Sequence, residues 1–276
     1  MELKITILVE NSVIYPFDVL GEHGFSVFIE MKDFSFLFDT GQGKALINNS
    51  LALKKDLRTI KFLYLSHGHY DHTGGLVELL KVKSPLDIYA HPDIFLERYW
   101  IKEDIKKYIG IPFPRFYLEN LGAKFVLHRE FQEIAPNVFS SGEVKRETPF
   151  EKIDKEMKKK VEGQLVQDDI LDDYSLAIKT KKGLVIILGC AHSGMVNVIN
   201  HFVQQTGIDQ IYAVIGGTHL GFADEEQLEE TIKVLKDYEI AKLGVSHCTG
   251  LTASAKIFNS FREKFFFASV GAVLEV

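Results

Sequence analysis

The sequence predicts an α/β (α+β) chain in which two sheets pack face to face with helices outside. Three observations carry that expectation. β-rich runs recur along the chain, and each half opens with a hairpin and continues with strand–helix units. No fixed-period repeat of the solenoid kind interrupts the pattern. The 276 residues, 46% hydrophobic and 25% charged, suffice for one large domain with a substantial core.

Leu3 to Val9 alternates apolar and polar residues before an apolar end, which reads as the first strand. Phe25 to Met31 and Phe34 to Phe38 are β-rich runs split by Lys32-Asp33, the spacing of a hairpin. The second run ends in Asp39-Thr40-Gly41-Gln42-Gly43, ahead of a helix over 43–55. Ile60 to Leu65 reads as a buried strand, and Gly74-Gly75 opens an amphipathic helix over 75–81. Leu86 to Ala90 is a short strand, followed by Pro92 and another helix. Residues 98–165 are less regular, with Pro112, Pro114 and Pro136 and dense aromatics from Tyr99 to Tyr117. Part of this stretch reads as an insertion in a single 1–276 domain, either a lid over a site or an extra packed helix. Tyr174 to Thr180 and Leu184 to Leu188 form a second hairpin. A helix over 194–206, a strand Gln210 to Ile215, a helix over 224–237 and a strand Lys242 to Val245 follow. A helix from about 252 and a strand near Ala272–Val276 close the chain.

The net charge of -6, from 32 basic and 38 acidic residues, argues against a nucleic-acid footprint. Lys152, Lys155, Lys158, Lys159 and Lys160 alternate with Glu151, Asp154, Glu156 and Glu162, and read as a solvated helix face. Two cysteines, Cys190 and Cys248, make neither a CxxC motif nor a disulfide framework. The start MELKITILVE lacks the pattern of a signal peptide, and no apolar run reaches membrane-spanning length. The expectation is a cytoplasmic protein acting on a small molecule, with no membrane contact.

Chemistry concentrates in Ser66-His67-Gly68-His69-Tyr70-Asp71-His72, at the mouth of a strand. Chance gives such an HxHxDH spacing in roughly one comparable chain in a thousand. Imidazole and carboxylate donors suit zinc, iron and manganese. In extended chain His67 and His69 point the same way and can converge on one ion, while Asp71 and His72 come after the turn and can serve a neighbouring one. Two ions ~3.5–4 Å apart can clamp an oxyanion and activate water.

The HxHxDH run after an apolar strand, with Asp39-Thr40-Gly41 ending an earlier one, resembles the metallo-β-lactamase superfamily over nearly the whole chain. The resemblance implies an αββα sandwich of two mixed sheets, with metals held in loops at one sheet edge. It implies that His67 and His69 bind the first metal, Asp71 and His72 the second, and that Asp39 supports the ligand loop without being a ligand. Gly189-Cys190-Ala191-His192-Ser193-Gly194, Gly216-Gly217-Thr218-His219-Leu220 and Ser246-His247-Cys248-Thr249-Gly250 are similar to one branch of it. That branch is described as 7,8-dihydropterin-6-methyl-4-(β-D-ribofuranosyl)aminobenzene-5'-phosphate synthases or as uncharacterised metal-dependent hydrolases. By this resemblance His192 adds a ligand to the first metal and His247 one to the second. His219 contacts substrate, contacts metal or is structural.

One departure stands out. Superfamily hydrolases place a metal-bridging aspartate where this chain has Cys190. The thiol is either a ligand or a buried inert group. Asp168, Asp169, Asp172 and Asp173 offer a substitute carboxylate or form a solvated acidic turn. His91 reads as a helix-entry residue, Tyr70 as packing, and His23, His128 and His201 as structural or surface residues. Gln42-Gly43-Lys44 is a helix entry or an anion contact. Three functions stay open. The first is hydrolysis of a phosphate ester or phosphodiester with two divalent ions, zinc first, manganese or iron otherwise. Asp71 then orients or deprotonates the nucleophile and His219 orients substrate or moves a proton. The second is a pterin-condensing transfer that releases pyrophosphate. The third is a di-iron sensor or redox protein, disfavoured by the lack of an electron-transfer extension.

Overall fold

The computed structural model describes residues 3–14, 16 and 18–276. The strands are, in order, β1 (Leu3–Val9), β2 (Ser26–Met31), β3 (Ser35–Phe38), β4 (Ile60–Tyr64), β5 (Leu86–Ala90), β6 (Arg98–Lys102), β7 (Ile105–Tyr108), β8 (Ala123–Leu127), β9 (Gln132–Ala135), β10 (Val138–Ser140), β11 (Met157–Val161), β12 (Gln164–Gln167), β13 (Ser175–Thr180), β14 (Gly183–Leu188), β15 (Ile211–Gly217), β16 (Lys242–Ser246), β17 (Phe265–Phe267) and β18 (Val273–Glu275). The helices are α1 (Leu46–Ala52), α2 (Tyr70–Thr73), α3 (Leu76–Val82), α4 (Arg115–Asn120), α5 (Met195–Thr206), α6 (Glu225–Asp237) and α7 (Gly250–Phe261).

Two seven-stranded sheets form the sandwich, ordered β18-β1-β2-β3-β4-β5-β8 and β17-β16-β15-β14-β13-β10-β9. Each is mixed. β3, β4, β5 and β8 run parallel, as do β14, β15, β16 and β17, and the remaining pairs are antiparallel. The period-two alternation of side chains explains the layering. Leu3, Ile5 and Ile7 of β1 and Val185 and Ile187 of β14 point into the layer between the sheets. Leu184, Ile186 and Leu188 face α5, α6 and α7, while Leu8 and Val9 face α1 and α3. Each fully buried Leu, Ile or Phe in these layers contributes about 1.5–3 kcal/mol. The Tyr64 hydroxyl reaches Ser140 Oγ at 2.6 Å and ties one sheet to the other. No helix among the described residues is long and apolar enough to cross a membrane.

The structure departs from the sequence expectations in several places. A third, four-stranded sheet, β12-β11-β6-β7, was not foreseen. The Lys-rich segment is no helix: Met157–Val161 is a strand between β6 and β12. Its lysines find partners one by one, Lys158 on Gln167 and Lys160 on Glu97, which suits a small, solvent-facing sheet. Residues 98–165 are shared among all three sheets, since β8 completes the first and β9 and β10 the second. The helix after Pro92 is a single 3-10 turn, Pro92–Phe95, and the helix expected over 43–55 is the shorter α1.

Candidate metal centre

The chemistry-bearing loops all leave the carboxyl ends of parallel strands. β3 delivers Asp39, β4 the 66–72 segment, β14 Cys190 and His192, β15 His219, and β16 His247 and Cys248. Such strand ends are where open α/β sheets place their ligands. Three of these residues, Asp39, His219 and His247, and Ala191 between Cys190 and His192, have positive φ of 57, 55, 51 and 54°. Left-handed backbone at non-glycine residues costs free energy, and its clustering here marks loops bent to aim side chains inward.

Two groupings emerge. His67, His69 and His192 bring ligand nitrogens within 4.8 Å of one another, all buried. His67 Nε2, His69 Nε2 and both ring nitrogens of His192 have no hydrogen-bond partner. Burial lowers the pKa of all three, His69 to about 3, so each imidazole is neutral and presents a lone pair. Unpaired buried nitrogens are costly, and a divalent cation satisfies them. The donor set fits zinc-type ions.

The second grouping is internally paired. Asp71 Oδ2 lies 3.1 Å from His23 Nε2 and 3.2 Å from His247 Nε2. His72 gives Nδ1 to Asp39 Oδ2 at 2.6 Å, and its Nε2 is 3.2 Å from Cys190 Sγ. Burial opposes charge on His72, but Asp39 and Asp71 overcome it and raise its pKa to about 9. Burial raises the Cys190 thiol, with Cys248 adding to the shift. At Cys248 burial is overridden by Cys190, His219 and His247, and that thiol is lowered. His219 stacks on Phe222, faces Asp154 at 3.5 Å, and is raised to about 9: burial opposes the charge, while Asp154 and Cys248 favour it.

Carboxylates fasten the backbone of these loops. Asp39 accepts from Ser66 N and Ser66 Oγ at 2.7 and 2.6 Å, the supporting role expected of it. Asp172 Oδ2 accepts from Gly68 N, Asp173 from Ser193 N, and Glu10 from His247 N. The His192 carbonyl accepts from Arg146. The expected solvated acidic turn is therefore corrected. Asp168, Asp172 and Asp173 are buried, Asp169 alone is exposed, and none of the four joins a metal-type grouping among the described residues. Arg98, itself buried, pairs with Asp168 and Asp172 at 2.8 and 2.6 Å. The Gln42-Gly43-Lys44 segment does meet an anion, the chain's own Glu22, whose carboxylate takes the backbone N–H of residues 42 to 45.

The structure brings together His67, His69, Asp71, His72, His192, His219 and His247 around one cavity of about 280 Å³ and its floor. It adds His23, which sequence reasoning had set aside as structural or surface. The available signal was Gly24: there φ is 151°, and a Cβ would meet the Asp71 carbonyl at 2.5 Å, so the glycine lets His23 approach the ligand loop. His91 takes its helix-entry place, its Nδ1 accepting from Asp93 N. His128 and His201 bond to Ser140 and the Ser141 carbonyl, away from the cavity. Trp100, Lys107, Met157 and Phe222 line the mouth together with Tyr70, whose hydroxyl accepts from Lys107 at 2.7 Å.

Comparison with known proteins agrees with this geometry. The family model described as "Metallo-beta-lactamase superfamily" matches residues 20–155. A 7,8-dihydropterin-6-methyl-4-(beta-D-ribofuranosyl)-aminobenzene-5'-phosphate synthase of Methanocaldococcus jannaschii is 33% identical, over 99% of this chain and 96% of that one. An uncharacterized protein of the same organism is 30% identical over 99% and 100%. The crystal structure of Tm1679, described as a metal-dependent hydrolase of the beta-lactamase superfamily, superposes with a TM-score of 0.84 at 28% identity, covering 100% and 99% of the two chains. With a full-length relative, a shared αββα sandwich and histidines gathered at its strand ends, this chain belongs to the metallo-beta-lactamase superfamily.

Proposed function

We propose that this chain is a metal-dependent hydrolase of a phosphorylated small molecule. The observation that carries the reading is the trio of neutral imidazoles of His67, His69 and His192, each with a buried ring nitrogen that has no partner. Together with a second position at Asp71, His72 and His247, they would hold two divalent ions, zinc first. When bound, such ions acidify water towards neutrality and stabilise negative charge at a phosphoryl group. Asp71, at the cavity wall, is placed to orient or accept a proton from the nucleophile. His219, paired with Asp154 and facing the same cavity, is placed to donate a proton to the leaving oxygen. Lys107 at the mouth favours an anionic substrate, and the sheet carrying Trp100 and Met157 serves as a lid that limits water.

A second reading, transfer to an acceptor other than water, is favoured by two observations. Cys190, whose Sγ gathers with His67 and His72, takes the place at which the resemblance leads one to expect a bridging carboxylate. The relative covering almost the whole chain is a synthase whose product joins a 7,8-dihydropterin-6-methyl group to an aminobenzene ribofuranosyl phosphate. On this chain such a transfer would form a bond from the acceptor to a pterin methylene carbon as the C–O bond to a pyrophosphate breaks. Pyrophosphate leaves with the electron pair, and the acceptor's proton passes to a base. Trp100 and Phe222 would stack on the heterocycle.

The test is metal analysis of protein purified without chelator, followed by incubation with a generic phosphodiester and with a pterin-methyl pyrophosphate plus an arylamine. Turnover of the diester by metal-loaded protein supports hydrolysis. Metal without diester turnover, but with arylamine-dependent pyrophosphate release, replaces it by transfer. A metal-free, inactive protein that takes up none of zinc, manganese or iron overturns both.

A further inference from the structure

The first ion position is built on three imidazoles, and sulfur gathers between it and the second. Cys190 Sγ belongs to two groupings at once, one with His67 and His72 and one with His247 and Cys248, each with its ligand atoms within 4.8 Å. Donors on a tetrahedral zinc-type ion lie about 3.5 Å apart, given metal–nitrogen and metal–sulfur bonds of ~2.0–2.3 Å. The 3.2 Å between Cys190 Sγ and His72 Nε2 is close to such an edge. The His72 and His247 rings flank the thiols with centroids 5.1 Å apart.

Each donor is held from behind. His72 Nδ1 is taken by Asp39, and His247 Nδ1 lies 3.0 Å from Asn11 Oδ1, so both rings turn Nε2 inward. Cys248 Sγ accepts from the His219 backbone N–H at 3.2 Å, a contact that favours a sulfur bearing negative charge. Room for that sulfur comes from Gly217, where an added Cβ would sit 2.6 Å from Cys248 Sγ. Both cysteines are buried, and both border the cavity that holds the other candidate ligands.

We propose that thiolates join the second ion position as ligands: Cys190 and Cys248 are sulfur donors gathered with His247, and Cys190 also reaches His72. This rests on the metal-centre reading above and assigns it a chemistry. Two thiolates select zinc, cobalt or cadmium over manganese and magnesium. They also donate charge to their ion, which leaves the three-imidazole position as the stronger Lewis acid of the pair.

The experiment is cobalt(II) loading of the full chain, read by absorption. Visible ligand-field bands report uptake at any position, whereas sulfur-to-cobalt charge transfer in the near ultraviolet requires thiolate ligation. The expected result is both signals in the wild-type chain. The charge-transfer band should fall by about half in Cys190→Ser and in Cys248→Ser, one sulfur of two in each, and vanish when both are replaced. Visible bands without charge transfer in the wild-type chain would overturn the proposal and leave the metal centre standing. A band lost in Cys190→Ser but untouched in Cys248→Ser would overturn the two-sulfur site. Absence of both signals would overturn the metal centre and the proposal together. The wild-type spectrum decides the first and last of these even where a variant fails to fold.

Discussion

The two halves of the centre differ in how they are satisfied. At the first position three imidazoles sit buried, each with at least one ring nitrogen unpaired. At the second, Asp71, His23 and His247 pair with one another, and His72 is held between Asp39 and Cys190. An ion at the first position relieves an existing desolvation cost. An ion at the second must displace contacts and a proton. The first position should therefore bind more tightly, and each variant below tests that ranking.

The largest effect should come from Arg98. Its guanidinium neutralises the buried Asp168 and Asp172, and Asp172 in turn holds the Gly68 N–H between His67 and His69. Arg98→Met leaves buried Asp172 without its cation and Asp168 with only Lys159 Nζ at 3.8 Å, which costs about 3–5 kcal/mol of stability. Chemical denaturation should show that loss, and the first position should lose affinity with it. A variant as stable as the wild type would mean that Arg98 is no strut. Next comes His67→Ala. Losing an outer-shell partner alone typically costs 10- to 100-fold in metal affinity. Losing a direct donor should exceed about a hundredfold, read by competition with a chromophoric chelator. Retention of wild-type affinity would sink the three-imidazole assignment.

The positions also differ in acid–base state, which gives a pH test. His67, His69 and His192 have lowered pKa values and are already neutral at pH 7, so metal uptake there should change little between pH 6.5 and 9. His72 is raised to about 9 in the metal-free chain. Its proton competes with the ion, and so does that of the raised Cys190 thiol, so affinity at the second position should rise by about tenfold or more per pH unit up to pH 9. Titration of the two equivalents across that range checks it. Equal pH slopes for both would erase the distinction.

How far the sequence disclosed this centre depends on range. The strand ends and the 66–72 cluster were legible because they are local: period-two apolar runs mark the strands, and six residues hold four donors. Residues whose meaning lies in distant partners were not. Asp168 and Asp172 look like a polar turn until Arg98, about seventy residues earlier, is folded against them. Met157–Val161 reads as a charged helix because its strand character comes from pairing with β6 and β12, not from its own composition. Cys190 was recognisable as a departure, yet its neighbour Cys248 is 58 residues away in sequence.

His23 is the finest probe of the comparison, since it belongs to the second position alone. Its Nε2 is 3.1 Å from Asp71 Oδ2, its ring lies 4.8 Å from that of His247, and half of its side chain is exposed. Exposure lets water replace the lost contact, so His23→Ala should cost less than about tenfold in affinity at the second position. The first position, whose donors His23 does not touch, should keep its affinity. An equal loss at both positions would mean that His23 acts through the 66–72 loop as a whole. The difference has a structural basis. Asp71 follows the turn into α2 and meets His23 through Gly24, whereas His67 and His69 precede that turn and are fixed from the opposite side by Asp39 and Asp172.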